Sequence, residues 1–577
     1  MVMIFRKTIY KGIMKKYFII ALAALGFAAC AEKINGGVSP EQTGELEQSY
    51  IAVNLMSSEL GTRADDQAPT LGNGDLSDGI ADEHAVNTVH FFFFRQGAPF
   101  AVNAFPGTAP GGNRNWQQAT NVTFNDDLDN DNISKESNVV LVLNNYKGQY
   151  PDQVVAVINW APDQNVFTLD ELHTKLIGLQ STEGGFVMSN SVYRSGEGKV
   201  INATAIPGTY PTEAEAKADG HPVDIYVERI AAKVTVNTPT ANIDGKWDAT
   251  NERFDTGESS QLIALDEQKV YVKIQNWSLY NAHTKSNIIK SIDPSWTDDA
   301  LGLNWNDSPR FRSYWAAADT YTGSSDDYIN KNVFNWTNGE SLGGALYCGE
   351  NTAPSADDRT KLILKGKLVD ADGNALELVK WNGQEMVKVE NLKKAVAAQL
   401  QYLVYSYTFT NEADKTTYTY SPITFNDIEC ISGANEGAPD NVKKYQVFFQ
   451  LKTGLNKNWA VKSGDEWDYK QDTQLNEYLS VNIPPATVYA DGQTYYYIDI
   501  KHLGAEETKP ARYGIVRNHI YDIEIQSIKG YGTPVFIPGG SIVVPETPIE
   551  EEGVYVAAKI NVLSWRVVKQ SVNIEVQ

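Results

Sequence analysis

Cysteine is scarce in this sequence, histidine is rare, and basic residues are outnumbered by acidic ones. The 577 residues include only 3 Cys and 7 His. They form no CxxC, HxH or HExxH motif, so the sequence predicts neither a zinc centre nor a redox centre, and no cofactor. Lys and Arg number 49 against 72 Asp and Glu, which gives a net charge of -23. Such an acidic chain repels phosphate groups, which argues against nucleic acid or an anionic membrane surface as a partner.

Long apolar runs are also missing, apart from a short one near the N-terminus. Lys15 and Lys16 precede an apolar stretch over residues 17–26, and small residues lead from it to Cys30. The stretch has about half the length that a bilayer-spanning helix needs. This pattern predicts a lipoprotein signal peptide over residues 1–29, with lipid attached to Cys30 after export. An ordinary secretory signal cut near Ala29 and a short buried helix are the alternatives.

The two other cysteines, Cys348 and Cys430, lie far apart in sequence. In an exported protein they could form a disulfide. Cys430, however, belongs to the alternating run 428–431, which is typical of a strand with one buried face. We therefore expect buried free thiols in preference to a bridge.

The sequence is rich in the pattern of buried β-strands. Short runs of β-branched and aromatic residues recur between clusters of Gly, Pro, Asn and Asp, which predicts a mainly β protein of two tandem β-sandwich domains. A few short helices interrupt the strands. One begins at a capping box of Thr168 and Glu171, and another is predicted from Leu392 to Leu403. The predicted strands include residues 86–94, 139–143, 154–160, 186–189, 223–227, 233–236, 270–274, 362–369, 446–451 and 495–500.

A polar tether and a short strand follow Cys30. Ile51, Val53 and Leu55 alternate with smaller or polar residues, which is the pattern of a half-buried strand. The next segment, residues 57–74, is polar and contains Arg63. A trypsin-like protease could reach a basic residue in such a loop, although on sequence alone a solvated arginine is the simpler explanation.

The C-terminal segment combines a linker with further strand-like runs. Residues 530–553 are rich in Gly, Pro and Glu, which predicts an extended linker. Beyond it, residues 554–565 and 567–576 have the pattern of strands. A segment this short forms no stable sheet by itself. Its strands must therefore pair either with their own body or with the open edge of another molecule.

Several of these segments, taken in order, point to one family. They are the signal ending at Cys30, the strand at residues 51–55 with the loop at 63–64, residues 186–189, 227–234 and 517–523, and the terminal run 562–565. Each motif is degenerate, but their order and spacing over almost the full chain resemble the FimA/Mfa-type fimbrillins. These are the stalk subunits of the type V fimbriae of Bacteroidales, and the minor-fimbrium (Mfa) branch is the most similar.

The resemblance implies a structural subunit, not an enzyme, with transthyretin-like or Greek-key sandwiches. It implies a palmitoylated outer-membrane lipoprotein that an Arg-specific protease cuts between Arg63 and Ala64, which removes the first strand. C-terminal strands of an identical or related subunit would then fill the vacated groove by donor-strand exchange. With anchor and tip subunits, a secreted extracellular fimbria would result that supports adhesion, biofilm formation or colonisation. The implied displaced residues are Ile51, Val53 and Leu55, and the implied donor residues are Val562, Trp565, Val567, Val572, Ile574 and Val576.

The same resemblance implies the domain organisation. Residues 1–29 would be the signal peptide and residues 30–63 the propeptide with the first strand. An N-terminal sandwich would cover residues 64–237 and a C-terminal sandwich residues 238–529. Residues 530–577 would form the linker and the donor strands.

Three other interpretations stay open. Asp127 to Asp131 place oxygen ligands at alternate positions, as a calcium loop does, but Asn132 stands where such a loop has glycine, so we expect a solvated loop. A surface glycan-binding lipoprotein could stack sugars on exposed aromatic rings, but a monomeric binder needs neither a removable first strand nor spare terminal strands. For this glycan binder, the candidate sugar-stacking residues are Trp247, Trp296, Trp305, Trp315, Trp336 and Trp467.

A β-rich hydrolase with paired carboxylates is the third interpretation.

Overall fold

The computed structural model is mainly β, which confirms the predicted fold class. It describes residues 46–58, 83–102, 114–260, 268–291, 328–330, 339–410, 415–500, 514–536 and 555–564, except for gaps at 84, 120–121, 123–124, 127–132, 147, 182–183, 192, 195–199, 353–357 and 416.

The first fourteen described strands lead from Leu46 to Asn237. They are β1 (Leu46–Ser58), β2 (Val89–Arg95), β3 (Ala98–Pro99), β4 (Trp116–Ala119), β5 (Asn125–Asp126), β6 (Ile133–Tyr146), β7 (Gln153–Ile158), β8 (Leu176–Gly178), β9 (Met188–Asn190), β10 (Tyr193–Arg194), β11 (Val200–Ile201), β12 (Thr204–Ala205), β13 (Val223–Arg229) and β14 (Ala231–Asn237).

The later described strands lead to Ser564. They are β15 (Trp247–Asp248), β16 (Arg253–Ser260), β17 (Gln268–Tyr280), β18 (Ala282–His283), β19 (Lys285–Asn287), β20 (Tyr328–Ile329), β21 (Ala345–Gly349), β22 (Lys361–Val369), β23 (Leu378–Trp381), β24 (Gln384–Val387), β25 (Val404–Phe409), β26 (Tyr418–Pro422), β27 (Ile428–Ser432), β28 (Val447–Leu451), β29 (Asn458–Ser463), β30 (Glu466–Lys470), β31 (Thr487–Tyr489), β32 (Gln493–Asp499), β33 (His519–Lys529), β34 (Thr533–Pro534) and β35 (Tyr555–Ser564). The described α-helices are α1 (Leu169–Thr174), α2 (Glu213–Ala216), α3 (Val389–Leu400) and α4 (Asp472–Asn482), and 3-10 turns cover Phe425–Asp427 and Ala490–Gly492.

The largest sheet, called the N-terminal sheet, has ten strands. Its order is β3-β2-β7-β9-β13-β1-β6-β5, with β4 beside β2 and β12 beside β7. Both faces of β2 are covered, because Phe91 and Phe93 enter one core while Phe92 and Phe94 enter another. The run of four phenylalanines therefore shows no alternation of apolar and polar residues.

The two faces of the N-terminal sheet bury different cores. Strands β2 and β6 lie far apart in the strand order, yet on one face of the sheet their side chains share a core with those of β1. The sheet therefore curves around that core. On the other face, Leu172 of α1, Ile177 of β8, Ile288 and Ile289 cover Phe92 and Phe94. Strand β8 pairs with β19, which brings chain from beyond residue 280 onto this face.

The strands that follow β13 in sequence include two sheets that face one another and form a sandwich. One has the order β21-β14-β33-β35 and the other the order β15-β16-β17-β22-β32-β34. Val234 and Ile523 of the first sheet share a core with Val272 and Leu364 of the second, and Trp277 is fully buried there. Only Ile230 separates β13 from β14, so one segment of chain runs from the N-terminal sheet into the sandwich.

An insertion between β22 and β32, residues 370–492, has a core of its own. Leu392 and Val396 of α3 and Leu475 and Leu479 of α4 are buried in it. Around them lie sheets of order β24-β23-β31, β26-β25-β29-β30 and β27-β28. The sequence pattern predicts only a second β domain here and does not reveal this separate core.

The two predicted helices are present, with one corrected boundary. At α1 the hydroxyl of Thr168 accepts the N–H of Glu171 at 3.1 Å, and the Glu171 carboxylate accepts the N–H of Thr168 at 2.7 Å, which confirms the capping box. Helix α3 covers residues 389–400, so the predicted end at Leu403 was wrong. Leu403 is 40% exposed, because the chain turns after the helix to enter β25. The proposed domain boundaries stay predictions.

Candidate functional site

Strand β1 is the first described strand, yet it lies inside the N-terminal sheet. It pairs antiparallel with β6 along its whole length, residues 46–58. On its other side it pairs parallel with β13 over residues 53–57. Before that point, the N–H of Tyr50 donates to the carbonyl of Tyr210 at 2.8 Å, and the N–H of Tyr210 donates back at 2.9 Å. The strand is therefore held on both sides by backbone hydrogen bonds.

The side chains in the middle of β1 are buried. Ile51 and Val53 enter the core that also contains Leu141 of β6 and Ile225 of β13. Ala52, on the opposite face, is buried as well, and α2 lies against the strand. The sequence pattern predicts a half-buried strand, whereas the described middle of β1 is buried on both faces.

Strand β35 lies at the edge of the sandwich and is held differently. It pairs antiparallel with β33, from residue 555 opposite Lys529 to residue 564 opposite His519. Among the described strands it has no second neighbour. In the single chain, this tail strand is therefore folded back onto its own body and is bonded along one side.

The predicted site residues are divided between described and undescribed parts of the chain. Ile51 and Val53 are in the core, and the backbone of Leu55 lies between Ser137 of β6 and Ile225 of β13. Val562 lies in β35 opposite Tyr521. The remaining predicted site residues lie outside the described residues: Cys30, Arg63, Ala64, Trp565, Val567, Val572, Ile574 and Val576.

The beginning of the predicted linker is docked on the sandwich. Strand β34 pairs with β32, and the hydroxyl of Thr494 lies 2.6 Å from the carbonyl of Tyr531 and 2.9 Å from that of Thr533. Gly532 has a φ of +72°, and a Cβ there would lie 2.5 Å from the Thr494 hydroxyl. The tail is thus anchored by residues 530–536 before it continues towards β35.

A buried ion pair joins the segment just before β33 to the segment just after β21. The Arg517 guanidinium donates to the two carboxylate oxygens of Glu350 at 2.6 and 2.9 Å, and neither side chain is exposed. It also donates to the carbonyls of Asn287 and Ile288 at 2.8 and 3.1 Å. Bidentate geometry with further acceptors satisfies most of the guanidinium, which offsets its desolvation.

A second buried pair lies at the end of β13. The Lys290 ammonium is 2.9 and 3.0 Å from the two oxygens of Glu228. Desolvation raises the pKa of Glu228 and lowers the pKa of Lys290, since burial opposes both charges. Next to this pair, Arg229 donates to the carbonyl of Glu83, and its N–H donates to the side-chain oxygen of Asn518. The segments 227–234 and 517–523, singled out by their sequence, meet here.

One pentapeptide has the form of a nucleophile motif. Residues 339–343 read Gly-Glu-Ser-Leu-Gly, a GxSxG match. A nucleophile elbow needs a strand followed by a helix. Here Glu340 forms a β-bridge with Trp277, and a turn leads directly into strand β21. The Ser341 carbonyl accepts the indole N–H of Trp277 at 3.0 Å, so the segment is a structural turn.

The cysteine prediction is confirmed. Cys348 and Cys430 are buried free thiols, and burial raises the pKa of each to about 12. No group of His, Cys, Asp or Glu suited to a metal ion occurs in the described part of the chain, and the acidic run at residues 127–131 lies outside it. No described helix is long and apolar enough to cross a bilayer.

Of the tryptophans considered for sugar stacking, the described ones have different surroundings. Trp247 is buried in the sandwich core, and its indole N–H donates to the carbonyl of Pro239 at 2.8 Å. Trp467 is partly exposed on β30. Trp296, Trp305, Trp315 and Trp336 lie outside the described residues.

Comparison with known proteins identifies the C-terminal region. Residues 487–571 match the family described as major fimbrial subunit protein type IV, fimbrillin, C-terminal. No curated protein sequence matches the chain. Similar solved structures are a fimbrilin (FimA) from Porphyromonas gingivalis W83, with 14% identity and a TM-score of 0.36, and a protein from Parabacteroides distasonis described as a cell adhesion protein, with 13% identity and a TM-score of 0.34. Each comparison covers 90% of this chain and 98% of the other chain.

The family match covers β31 to β35 and the linker between β34 and β35. It therefore includes the docked start of the tail and the edge strand. Fimbrillins are structural subunits that polymerise with related subunits into a fimbria on the cell surface, and they are not enzymes. Over residues 487–571 this chain is similar to the fimbrillin C-terminal family, which supports its assignment as a FimA/Mfa-type fimbrillin.

Proposed function

We propose that this fimbrial subunit is exported as a lipoprotein through Cys30, cut after Arg63, and polymerised by donor-strand exchange. The observation that carries the proposal is the place of β1, which comes first in sequence yet is bonded on both sides within the N-terminal sheet. A cut after Arg63 would free a strand from the middle of a complete sheet.

Loss of β1 would create a site for another extended chain. The N–H and C=O groups of β6 and β13 that bond to β1 would lose their partners. Leu141 and Leu143 of β6 and Val223 and Ile225 of β13 are buried beside β1 and would line the resulting groove. Two unpaired strand edges over an apolar floor favour the addition of a strand.

The C-terminal tail is the segment suited to fill this groove. Strand β35 bonds to β33 alone among the described strands, so its release breaks one row of hydrogen bonds. Beyond it, Val572, Ile574 and Val576 alternate in the same way as Ile51, Val53 and Leu55. Alternate side chains of a donor strand would therefore occupy the positions that β1 vacates.

The proposal also predicts when assembly starts and which shape it takes. While the chain is uncut, β1 is covalently tethered and competes with any donor at high effective concentration. After the cut this advantage is lost. Because the donor and acceptor segments differ, the contact is heterologous, and repeated exchange that does not close produces a filament.

The proposal can be tested by peptide complementation. A precursor truncated after Ser564, which keeps β35 paired with β33, is cut at Arg63 and mixed with a fluorescent peptide of residues 565–577. We expect the peptide to bind the cut protein stably, and to bind the uncut protein weakly because β1 still fills the groove. A peptide with Val572→Asp and Ile574→Asp is the matched control and should fail to bind. Equal binding of the two peptides, or of the cut and uncut proteins, would contradict the proposal.

A further inference from the structure

The insertion carries an unusual concentration of aromatic side chains on one sheet face. In the sheet β26-β25-β29-β30, alternate residues point to the same side, and the register places Tyr407 opposite Tyr420 and Phe409 opposite Tyr418. The seven rings on this side are called the aromatic face: Tyr405, Tyr407, Phe409, Tyr418, Tyr420, Trp467 and Tyr469.

The opposite side of the same sheet already meets the packing needs of the insertion. Val404 of β25 and Trp459 and Val461 of β29 are buried in the insertion core. The aromatic face is therefore not required to cover that core. Its members Tyr418 and Tyr469 are 36% and 44% exposed.

The rings support one another in a fixed arrangement. Tyr420 stacks on Trp467 with ring centroids 3.8 Å apart and planes within 8°. Tyr407 meets Tyr418 and Tyr469 edge to face at 5.5 and 5.1 Å. The exposed rings of Tyr418 and Tyr469 lie side by side, with centroids 5.5 Å apart. Mutual contacts of this kind restrict rotation, so a ligand would meet ordered rings.

The polar groups of the aromatic face are mainly tyrosine hydroxyls, which carry no formal charge. The hydroxyls of Tyr420 and Tyr469 are 2.9 Å apart, and desolvation, together with this hydrogen bond, raises the pKa of Tyr420 to about 12. The Tyr420 hydroxyl therefore stays protonated at physiological pH and can both donate and accept. At the strand positions that share this side, Lys462 is the only charged residue, and no carboxylate occurs there. An uncharged partner matches this surface, although the whole chain carries a net charge of -23.

The size of the face distinguishes between classes of partner. Four strands about 4.8 Å apart, with five or six residues each at about 3.3 Å, give roughly 300 Å². A stable protein–protein contact buries about 800 Å² on each partner. By itself the face is thus smaller than a stable protein–protein contact, and its size suits a short oligosaccharide.

We propose that the aromatic face binds a neutral oligosaccharide. Sugar rings would stack their C–H faces on Tyr418 and Tyr469, and tyrosine hydroxyls would bond to sugar hydroxyls at the rim. Only the strength of attachment rests on the proposed polymerisation. Each subunit of a fimbria would present one aromatic face, and many weak contacts would combine into firm attachment to a glycan-covered surface.

The test uses residues 31–577, the exported chain without Cys30, displayed at equal density on beads. The beads are applied to an array of neutral oligosaccharides that includes maltotriose, mannotriose and N-acetyllactosamine, with sialylated lactose alongside. We expect the wild type to bind neutral oligosaccharides. The double variant Tyr418→Ala/Tyr469→Ala should bind at least about tenfold more weakly, because it loses two stacking rings. Both positions are exposed, and circular dichroism and the melting temperature establish that the variant is folded.

Two further variants separate stacking from other effects. Tyr418→Phe/Tyr469→Phe keeps the rings and should retain most of the binding, whereas Tyr402→Ala, at a 74% exposed tyrosine before β25, should bind within about twofold of the wild type. Wild-type binding that the double alanine variant keeps would overturn the proposal, as would failure to bind any neutral oligosaccharide. Loss of self-association in the double alanine variant would overturn it too, since the face would then be a contact between copies. Protease-triggered assembly is measured separately, so failure of this inference is distinguishable from failure of the proposed function.

Discussion

Ile51 of β1 lies directly opposite Leu141 of β6, and both side chains are buried in the same core. The first of these residues precedes Arg63 and the second follows it in sequence. Under the proposed maturation, one side of this contact is removed and the other is kept. The pairing therefore connects the stability of the precursor with the ability of the mature subunit to accept a new strand.

Replacing Ile51 with alanine should destabilise the precursor and leave the mature fimbria unchanged. Truncation of a buried isoleucine costs about 2–5 kcal/mol of unfolding free energy. Gln48→Ala, at an exposed position of the same strand, is the control and should stay within about 0.5 kcal/mol of the wild type. Denaturant unfolding of the uncut proteins measures both effects. A similar loss of stability in assembled, fully cut material would show that β1 remains in the fimbria, contrary to the proposal.

The Arg517–Glu350 ion pair should be among the most sensitive polar contacts. Glu350→Gln leaves a buried guanidinium without its anion and should lower the free energy of unfolding by about 3–5 kcal/mol. The double variant Glu350→Leu/Arg517→Met should lose much less unfolding free energy than the sum for Glu350→Leu and Arg517→Met alone, because no unpaired charge remains. For comparison, Glu213→Gln breaks an exposed pair with Lys217 and should cost less than about 1 kcal/mol. Additive losses in the double variant would contradict this account of the ion pair.

Local patterns in the sequence predict the strands well but not their partners. The run of phenylalanines in β2 and the capping box of α1 depend on near neighbours, and both were predicted correctly. The place of β1 depends on pairing with β6 and β13, which lie far along the chain. Alternation at residues 51–55 indicates a strand but contains no information about which edges it joins.

The boundary of α3 shows a different limit. The helix begins after Lys388, which has a φ of 69° and provides no side-chain cap, so the usual start signal is missing. Leu403 continues the apolar spacing, but the helix has ended by then. The aromatic face, in contrast, has a signal in the sequence: aromatic residues alternate at 405, 407 and 409, at 418 and 420, and at 467 and 469. Alternating aromatic residues in neighbouring strands predict a shared sheet face.

The precursor should lose stability in mild acid through His90. This side chain is buried beside Trp116, and desolvation lowers its pKa from 6.5 to about 4. The folded state disfavours protonated His90, so the neutral side chain makes its full contribution to the free energy of unfolding above pH 6.5. This contribution declines by about 1 kcal/mol per pH unit as the pH falls towards 4. We expect His90→Asn to show a shallower decline than the wild type between pH 6.5 and 5 in denaturant unfolding. Parallel curves for the two proteins would contradict the assignment to His90.

The two thiols of the exported chain should be inaccessible until it unfolds. Cys348 and Cys430 are buried, and their raised pKa values keep them protonated near neutral pH. A protein that begins at residue 31, which lacks Cys30, should not react with a thiol reagent when folded and should react at two sites in denaturant. No reaction in denaturant without a reducing agent would indicate a disulfide and would contradict the structure.

Under the proposed function, a cut after Arg63 allows a strand of one subunit to replace β1 of another. The most direct measurement treats the purified precursor with a trypsin-like protease, sequences the new N-terminus, and separates the products on an unboiled denaturing gel. Strand exchange should give Ala64 as the new first residue, followed by a ladder of stable oligomers that an Arg63→Ala precursor and a chain truncated after Gly553 both fail to form. A protein that is cut at Arg63 and stays monomeric, or a truncated chain that forms the same ladder, would contradict it.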